Sequence, residues 1–138
     1  FFLYGPREDR RRFVPSVVAP LLGGQPAPLS HGAQVRDFLH VDDVADAFVA
    51  LLDSEISGPI NIASGTPVRL REVAGMIGDL IGRPDLLRFD ALPAREDDPP
   101  TIVADTTRLR EELGWRPQRA LQAGLAHTIE WWRGCEIL

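Results

Sequence analysis

The sequence predicts an α/β chain of short strands and about five helices, on three observations. Apolar runs of a few residues are closed by glycine and proline, as in Phe1-Phe2-Leu3-Tyr4-Gly5-Pro6, the mark of strands leading into turns. Between such runs, apolar residues recur every three or four positions in several longer stretches, the period of a helix with one buried face. The chain has 138 residues, 44% of them hydrophobic and 25% charged. That is an ordinary globular composition, on a chain long enough to bury roughly two-thirds of its unfolded surface.

Residues 1–4 form the first strand and Gly5-Pro6 stops it. Phe13, Val14, Val17, Val18, Leu21 and Leu22 make one helix face, with Pro15 tolerated because it falls near the first turn and Gly23-Gly24 ending the helix. The loop at residues 25–30, with Pro26 and Pro28, leads into a short strand. Residues 34–45 read Q-V-R-D-F-L-H-V-D-D-V-A, a strand end running into a helix at residues 42–53, where Val44, Ala45, Phe48, Val49, Leu51 and Leu52 have helical spacing. Asp42 and Asp43 then favour the positive end of that helix by ~0.3–1 kcal/mol each.

Gly58-Pro59 opens a strand at residues 60–63, and Ser64-Gly65-Thr66-Pro67 turns out of it. A helix follows at residues 70–82, with Leu70, Val73, Ala74, Ile77, Leu80 and Ile81 on one side. Gly75 and Gly78 each weaken it by ~1 kcal/mol relative to alanine, so close packing against a neighbour is expected to compensate. Leu86, Leu87 and Phe89 make the next strand. Residues 105–113 form a short helix with Thr106 or Asp105 as cap and Gly114 past its end. Trp115 packs under Pro117, and Leu121, Leu125, Thr128, Ile129 and Trp132 line a last helix ending near Gly134.

Composition excludes several classes of function. A net charge of −5 argues against nucleic acid or an anionic membrane as partner. Arg7, Arg10, Arg11 and Arg12 form a local basic cluster without interleaved aromatic residues to stack on bases. Cys135 is the single cysteine, so no intrachain disulfide forms. No apolar run approaches the ~20 residues that span a bilayer and no signal-peptide pattern opens the chain, so a cytoplasmic protein is expected. His31, His40 and His127 lack metal-ligand spacing, and His40 is expected to hydrogen-bond within the fold.

Three groups carry the candidate chemistry. Arg36, at the strand end, offers a rigid fork suited to two phosphate oxygens; from spacing alone, pairing with Asp37 or Asp42 is the other reading. In the loop at residues 92–100, Arg95 and Asp98 are fenced by Pro93, Pro99 and Pro100. A guanidinium for a diphosphate and a carboxylate for two ribose hydroxyls are what a nucleoside diphosphate asks for. The other reading is a solvated acidic loop of Glu96, Asp97 and Asp98. Asn61 could reach a phosphate or bond to backbone.

Residues 36–45, R-D-F-L-H-V-D-D-V-A, resemble the R-D-F-hydrophobic-H-V-x-D-hydrophobic-A signature of the extended short-chain dehydrogenase/reductase family, the NAD-dependent nucleotide-sugar epimerases and dehydratases. Tyr4-Gly5-Pro6-Arg7 resembles that family's turn after its sixth strand, and Ile60-Asn61-Ile62-Ala63-Ser64-Gly65 its Y-N-hydrophobic-G-x-G strand. Arg95-Glu96-Asp97-Asp98, Ala104-Asp105 and Leu113-Gly114-Trp115-Arg116-Pro117 resemble its closing run. Four segments in the family's order across nearly the whole chain make the match specific.

The resemblance implies the C-terminal part of an extended Rossmann-type fold: residues 1–24 as the last strand and helix of the nucleotide-binding fold, and residues 25–138 as a small substrate-binding lobe. Phe1 falls on a cofactor-facing position; Phe2 stands where the family usually carries a substrate-touching asparagine. The substrate implied is a nucleoside-diphosphate sugar, with Arg36 and Arg95 on the diphosphate, Asp98 on the ribose, Phe13, Pro28 and Leu29 at the base, and Arg12 and Asn61 nearby. The chain has neither the glycine-rich pyrophosphate turn nor the tyrosine–lysine pair: Tyr4 is the only tyrosine and all 15 basic residues are arginine. NAD is therefore expected to be held mainly by a portion upstream, and a homodimer is the assembly implied. A stand-alone, non-catalytic binding or interaction module is the alternative; an upstream glycine-rich motif would exclude it.

Overall fold

The structure, a computed structural model, describes residues 1–135. Six short strands and five α-helices follow one another in mixed order: β1 (Phe2–Tyr4), α1 (Phe13–Leu22), β2 (Ala27–Pro28), β3 (Val35–His40), α2 (Val41–Leu52), β4 (Pro67–Arg69), α3 (Leu70–Ile81), β5 (Leu87–Arg88), β6 (Thr101–Ile102), α4 (Thr107–Glu111) and α5 (Leu121–Gly134). A 3-10 turn, Pro84–Leu86, precedes β5. No helix among the described residues is long and apolar enough to cross a membrane.

The architecture is centred on β3. Its C-terminal half pairs in parallel with β1, Phe2 opposite Phe38 and Tyr4 opposite His40. Its N-terminal half pairs antiparallel with β4, Val35 opposite Arg69, and parallel with β6, Arg36 opposite Ile102. β2 and β5 form a separate parallel pair, Ala27 opposite Leu87. Residues 36–40 of β3 are all buried, because successive side chains of a strand point to opposite faces and both faces here are covered. Phe38 faces a core built from Val17 and Leu21 of α1, Ile77 of α3, and Leu125 and Ile129 of α5. Leu39 faces a second, smaller core with Val44, Ala47, Leu109 and Trp115.

The helices follow their caps. α2 begins where the His40 ring accepts the Asp42 N–H at 3.1 Å, and α3 where the Glu72 carboxylate accepts the Arg69 N–H at 2.9 Å. α4 is shorter than residues 105–113; its first turn is held by Asp105 Oδ1, which accepts the Thr107 N–H at 2.9 Å. Trp115 is buried as expected, and its indole N–H donates to Asp46 Oδ2 at 2.8 Å. Of the two α3 glycines only Gly78 is packed: a Cβ there would lie 3.0 Å from Leu87 Cδ1 and 3.1 Å from Pro84 Cα, whereas nothing comes within 4 Å of one at Gly75. On α2, Phe48, Val49 and Leu52 remain exposed.

The strand expected at residues 60–63 does not form. The backbone just beyond it is held by a side chain: Asp37 accepts the N–H groups of Ser64 at 2.9 Å and Gly65 at 2.8 Å. The strand that does pair, β4, starts only at Pro67.

A candidate ligand cleft beside β3

Alternation along β3 sends neighbouring side chains to opposite tasks. Asp37, 0% exposed, takes two donors on each oxygen: the Ser64 N–H and Ser64 hydroxyl on Oδ1, and the N–H groups of Gly65 and Ala104 on Oδ2. It stitches the turn before β4 and the segment after β6 to the central strand. Arg36 points the other way. Its Nη2 lies 2.5 Å from Asp98 Oδ1, its Nη1 donates to the Val35 carbonyl at 2.8 Å, and its guanidinium carbon sits 5.4 Å from the Phe2 ring centre. At 2% exposed, Arg36 is a buried cation already neutralised within the chain. Its partner is neither Asp37 nor Asp42, but a carboxylate 62 residues away.

Asp98 lies on the wall of a cleft of about 410 Å³, within the range of small-molecule sites. Phe13, Pro28, Leu29, Leu70, Phe89 and Leu92 supply apolar lining, and Arg11, Arg95, Asp98 and Gln34 supply polar groups. The loop bearing Arg95 and Asp98 is anchored to β3 by the Val35 N–H, which donates to the Pro100 carbonyl at 2.8 Å. Arg95 pairs with Asp97 at 3.3 Å, with both side chains more than three-quarters exposed. Such a solvent-screened pair contributes little and leaves Arg95 at the rim, free to exchange partners.

Of the expected site residues, Phe13, Pro28, Leu29, Arg95 and Asp98 share this cleft, and Arg36 joins through Asp98. Arg12, Asn61 and Phe1 do not line it. Arg12 lies 3.9 Å from Glu8, whose carboxyl burial pushes up to about 7 against the opposing Arg12 charge and a Gly5 hydrogen bond. Asn61 donates its side-chain amide to the Asp105 carbonyl at 3.0 Å. Phe1 is 48% exposed at the start of the chain, near the exposed Leu3.

Arg11 and Gln34 were not singled out by sequence reasoning. Nothing in the sequence separates Arg11 from Arg12. Gln34 was legible, because two residues before Arg36 on an extended segment it falls on the same face.

A second cluster lies at the other end of β3. His40 Nε2 is 3.2 Å from His127 Nδ1, and His40, Asp42 and His127 are close enough together to hold a cation; the 87-residue separation of the histidines hides this from spacing. The Asp42 N–H bond commits His40 Nδ1 as acceptor, so the neutral ring carries its proton on Nε2, aimed at His127, and keeps no lone pair for a metal. Arg119 closes the cluster: its N–H donates to Asp43 at 3.1 Å and its guanidinium to Asp42 at 3.2 Å.

Burial lowers the His40 pKa below 6.5, opposed by Asp42 and Asp43 and assisted by Arg119 and His127. The unfolded chain therefore binds a proton near pH 6.5 that the folded chain refuses, and stability is lost as pH falls below that value. The Glu8 carboxyl, pushed up to about 7 by burial, works in the opposite sense over the same window, so the His40 contribution is read as a difference. His40→Asn keeps a capping acceptor and does not titrate; between about pH 7.5 and 5.5 the urea midpoint of wild type should fall relative to that of His40→Asn, and parallel profiles would remove His40 as a cause.

The fold and the cleft together define an α/β domain that presents arginines and a carboxylate around an apolar pocket. Residues 1–63 match the family described as the NAD dependent epimerase/dehydratase family. The chain is 34% identical over 136 residues to a dTDP-4-dehydro-6-deoxy-D-allose reductase of a Streptomyces species, a match covering 95% of the chain and 41% of the relative. It superposes on a UDP-glucose 4-epimerase of Thermotoga maritima solved with UDP-glucose at a TM-score of 0.86 and 27% identity, covering 96% of the chain and 44% of that one. Against the Thermus thermophilus UDP-glucose 4-epimerase solved with NAD the values are 0.86 and 29%, covering 97% and 45%. The chain belongs to the NAD-dependent epimerase/dehydratase family of extended short-chain dehydrogenase/reductases, a Rossmann-type α/β family that uses NAD, and it spans less than half the length of these relatives.

Proposed function

We propose that this chain is the nucleotide-sugar-binding part of an NAD-dependent epimerase or dehydratase and positions a nucleoside-diphosphate sugar for transient hydride transfer. The observation that carries the reading is the convergence of Arg95 and Asp98, with Arg36 directly behind Asp98, on one apolar-walled cleft. In this assignment the base lies among Phe13, Pro28 and Leu29, the diphosphate meets Arg95 and Arg36, and Asp98 turns to the ribose hydroxyls. The diphosphate takes over the Arg36 guanidinium from Asp98, exchanging one charge-assisted pair for another. Arg12 and Asn61 would serve only at the margin, since neither lines the cleft.

NAD supplies a nicotinamide that accepts and returns the hydride when it is bound. On this reading Phe1 offers the cofactor only an apolar surface, and the pyrophosphate is held elsewhere, since β1 is followed by Gly5-Pro6 rather than a glycine-rich turn into a helix. The chain's own work is to bind and orient the sugar nucleotide.

Titration calorimetry of the 138-residue chain with UDP, TDP, CDP and GDP tests the reading. At least one should bind, and Arg95→Ala should weaken it roughly tenfold to a hundredfold through loss of a charge-assisted contact worth ~1.5–3 kcal/mol, with an unchanged melting temperature because Arg95 is exposed. Failure of all four to bind, or equal affinity in Arg95→Ala, would overturn it.

A further inference from the structure

Four buried side-chain atoms have no hydrogen-bond partner among the described residues: Glu8 Oε2, Gln34 Oε1, Arg119 Nε and Trp132 Nε1. Of these residues only Gln34 lines the cleft. Gln34 is 7% exposed and its backbone is fixed, for its carbonyl accepts the Leu70 N–H at 3.0 Å and the next amide, Val35, donates to Pro100. A bare amide oxygen in an apolar surround is costly. With the backbone fixed, a turn of the Gln34 side chain is all that separates this sealed oxygen from a donor arriving with the ligand.

Resting on the nucleotide reading above, we propose that the Gln34 carboxamide reads the edge of the nucleobase, accepting a ring or amino N–H on Oε1. A phosphate is the wrong partner, because an acceptor oxygen repels it and the rim arginines provide for it. The base is the right one, because Gln34 lines the same cleft as Phe13, Leu29 and Leu70, apolar surfaces suited to a flat ring. A carboxamide sets one acceptor beside one donor, which complements the N3–H and O4 of uracil or thymine and equally the N1–H and O6 of guanine. Gln34 thus selects for a base over a bare diphosphate, and its replacement decides which base.

The test is calorimetric titration of wild type, Gln34→Leu and Gln34→Glu with UDP, TDP, CDP, GDP and pyrophosphate, beside thermal melts. Gln34→Leu should weaken the nucleotides about tenfold, leave pyrophosphate unchanged and not lower the melting temperature, since it removes an unsatisfied buried group. Gln34→Glu offers two acceptors, which match the N1–H and N2–H₂ of guanine but oppose O4 of uracil, so the ratio of GDP to UDP affinity should rise. Unchanged nucleotide affinity in Gln34→Leu, an equal loss for pyrophosphate, a fall in melting temperature that accounts for the loss, or a constant GDP to UDP ratio in Gln34→Glu would each sink the assignment. If wild type binds none of the four nucleotides, the nucleotide reading falls and takes this one with it; if it binds them and Gln34→Leu binds as tightly, only the role of Gln34 falls.

Discussion

Asp37→Asn is expected to destabilise the chain by about 2–4 kcal/mol, a large share of the roughly 5–15 kcal/mol that holds a domain folded. Each carboxylate oxygen of Asp37 receives two donors, Ser64 twice on one and Gly65 and Ala104 on the other. Asparagine replaces one oxygen by an NH₂ group: turned toward Gly65 and Ala104 it faces two backbone N–H donors, and turned toward Ser64 it faces one, since the hydroxyl can rotate to accept. The nearby turn has little freedom to adapt: Gly65 has φ +70°, and a Cβ there would lie 2.5 Å from Thr106 Oγ1. The urea midpoint should fall at constant m value. A loss below about 1 kcal/mol, the value of one ordinary hydrogen bond, would show that the turn is held by something else.

Gly124→Ala is expected to destabilise although alanine is the better helix former by ~1 kcal/mol. A Cβ at this position of α5 would overlap Tyr4 Oη and lie 3.1 Å from His40 Cδ2. Tyr4 has no room to retreat. It is 2% exposed, edge-on to His40 with centroids 5.3 Å apart, and donates its hydroxyl to the Leu121 carbonyl at 3.2 Å. Overpacking of this kind costs typically ~1–3 kcal/mol and exceeds the propensity gain where the neighbour is rigid. Thermal melts should show a clear drop for Gly124→Ala, partial recovery in the Tyr4→Phe background, and a rise for the control Gly75→Ala, which meets nothing within 4 Å. A stabilised Gly124→Ala would contradict the packing.

Local chemistry was readable and long-range chemistry was not. α2 and α3 fall within a residue of the boundaries read from periodicity, because an apolar stripe and a capping group coincide at each. α4 is shorter than its pattern, and residues 60–63 are not a strand; just beyond them the backbone is held by Asp37, whose partners lie 27, 28 and 67 residues away. The same holds in the cleft. Arg95 and Asp98 could be singled out because prolines fence them, but the Arg36–Asp98 pair links strand β3 to a loop 62 residues away, a proximity only the fold creates. His40 with His127 and Trp115 with Asp46 are hidden in the same way, whereas Gln34 could have been found by counting back two residues from Arg36.

The Pro100 carbonyl is pinned to the first amide of β3, and Asp98 stands only two residues before it. Any motion that frees Arg36 must therefore be absorbed between Pro93 and Pro99, with Pro100 as a fixed pivot. A ligand that displaced Asp98 would meet a short lever, limited in travel by chain length, and would free the guanidinium by local rotation about a few bonds while the strands keep their register.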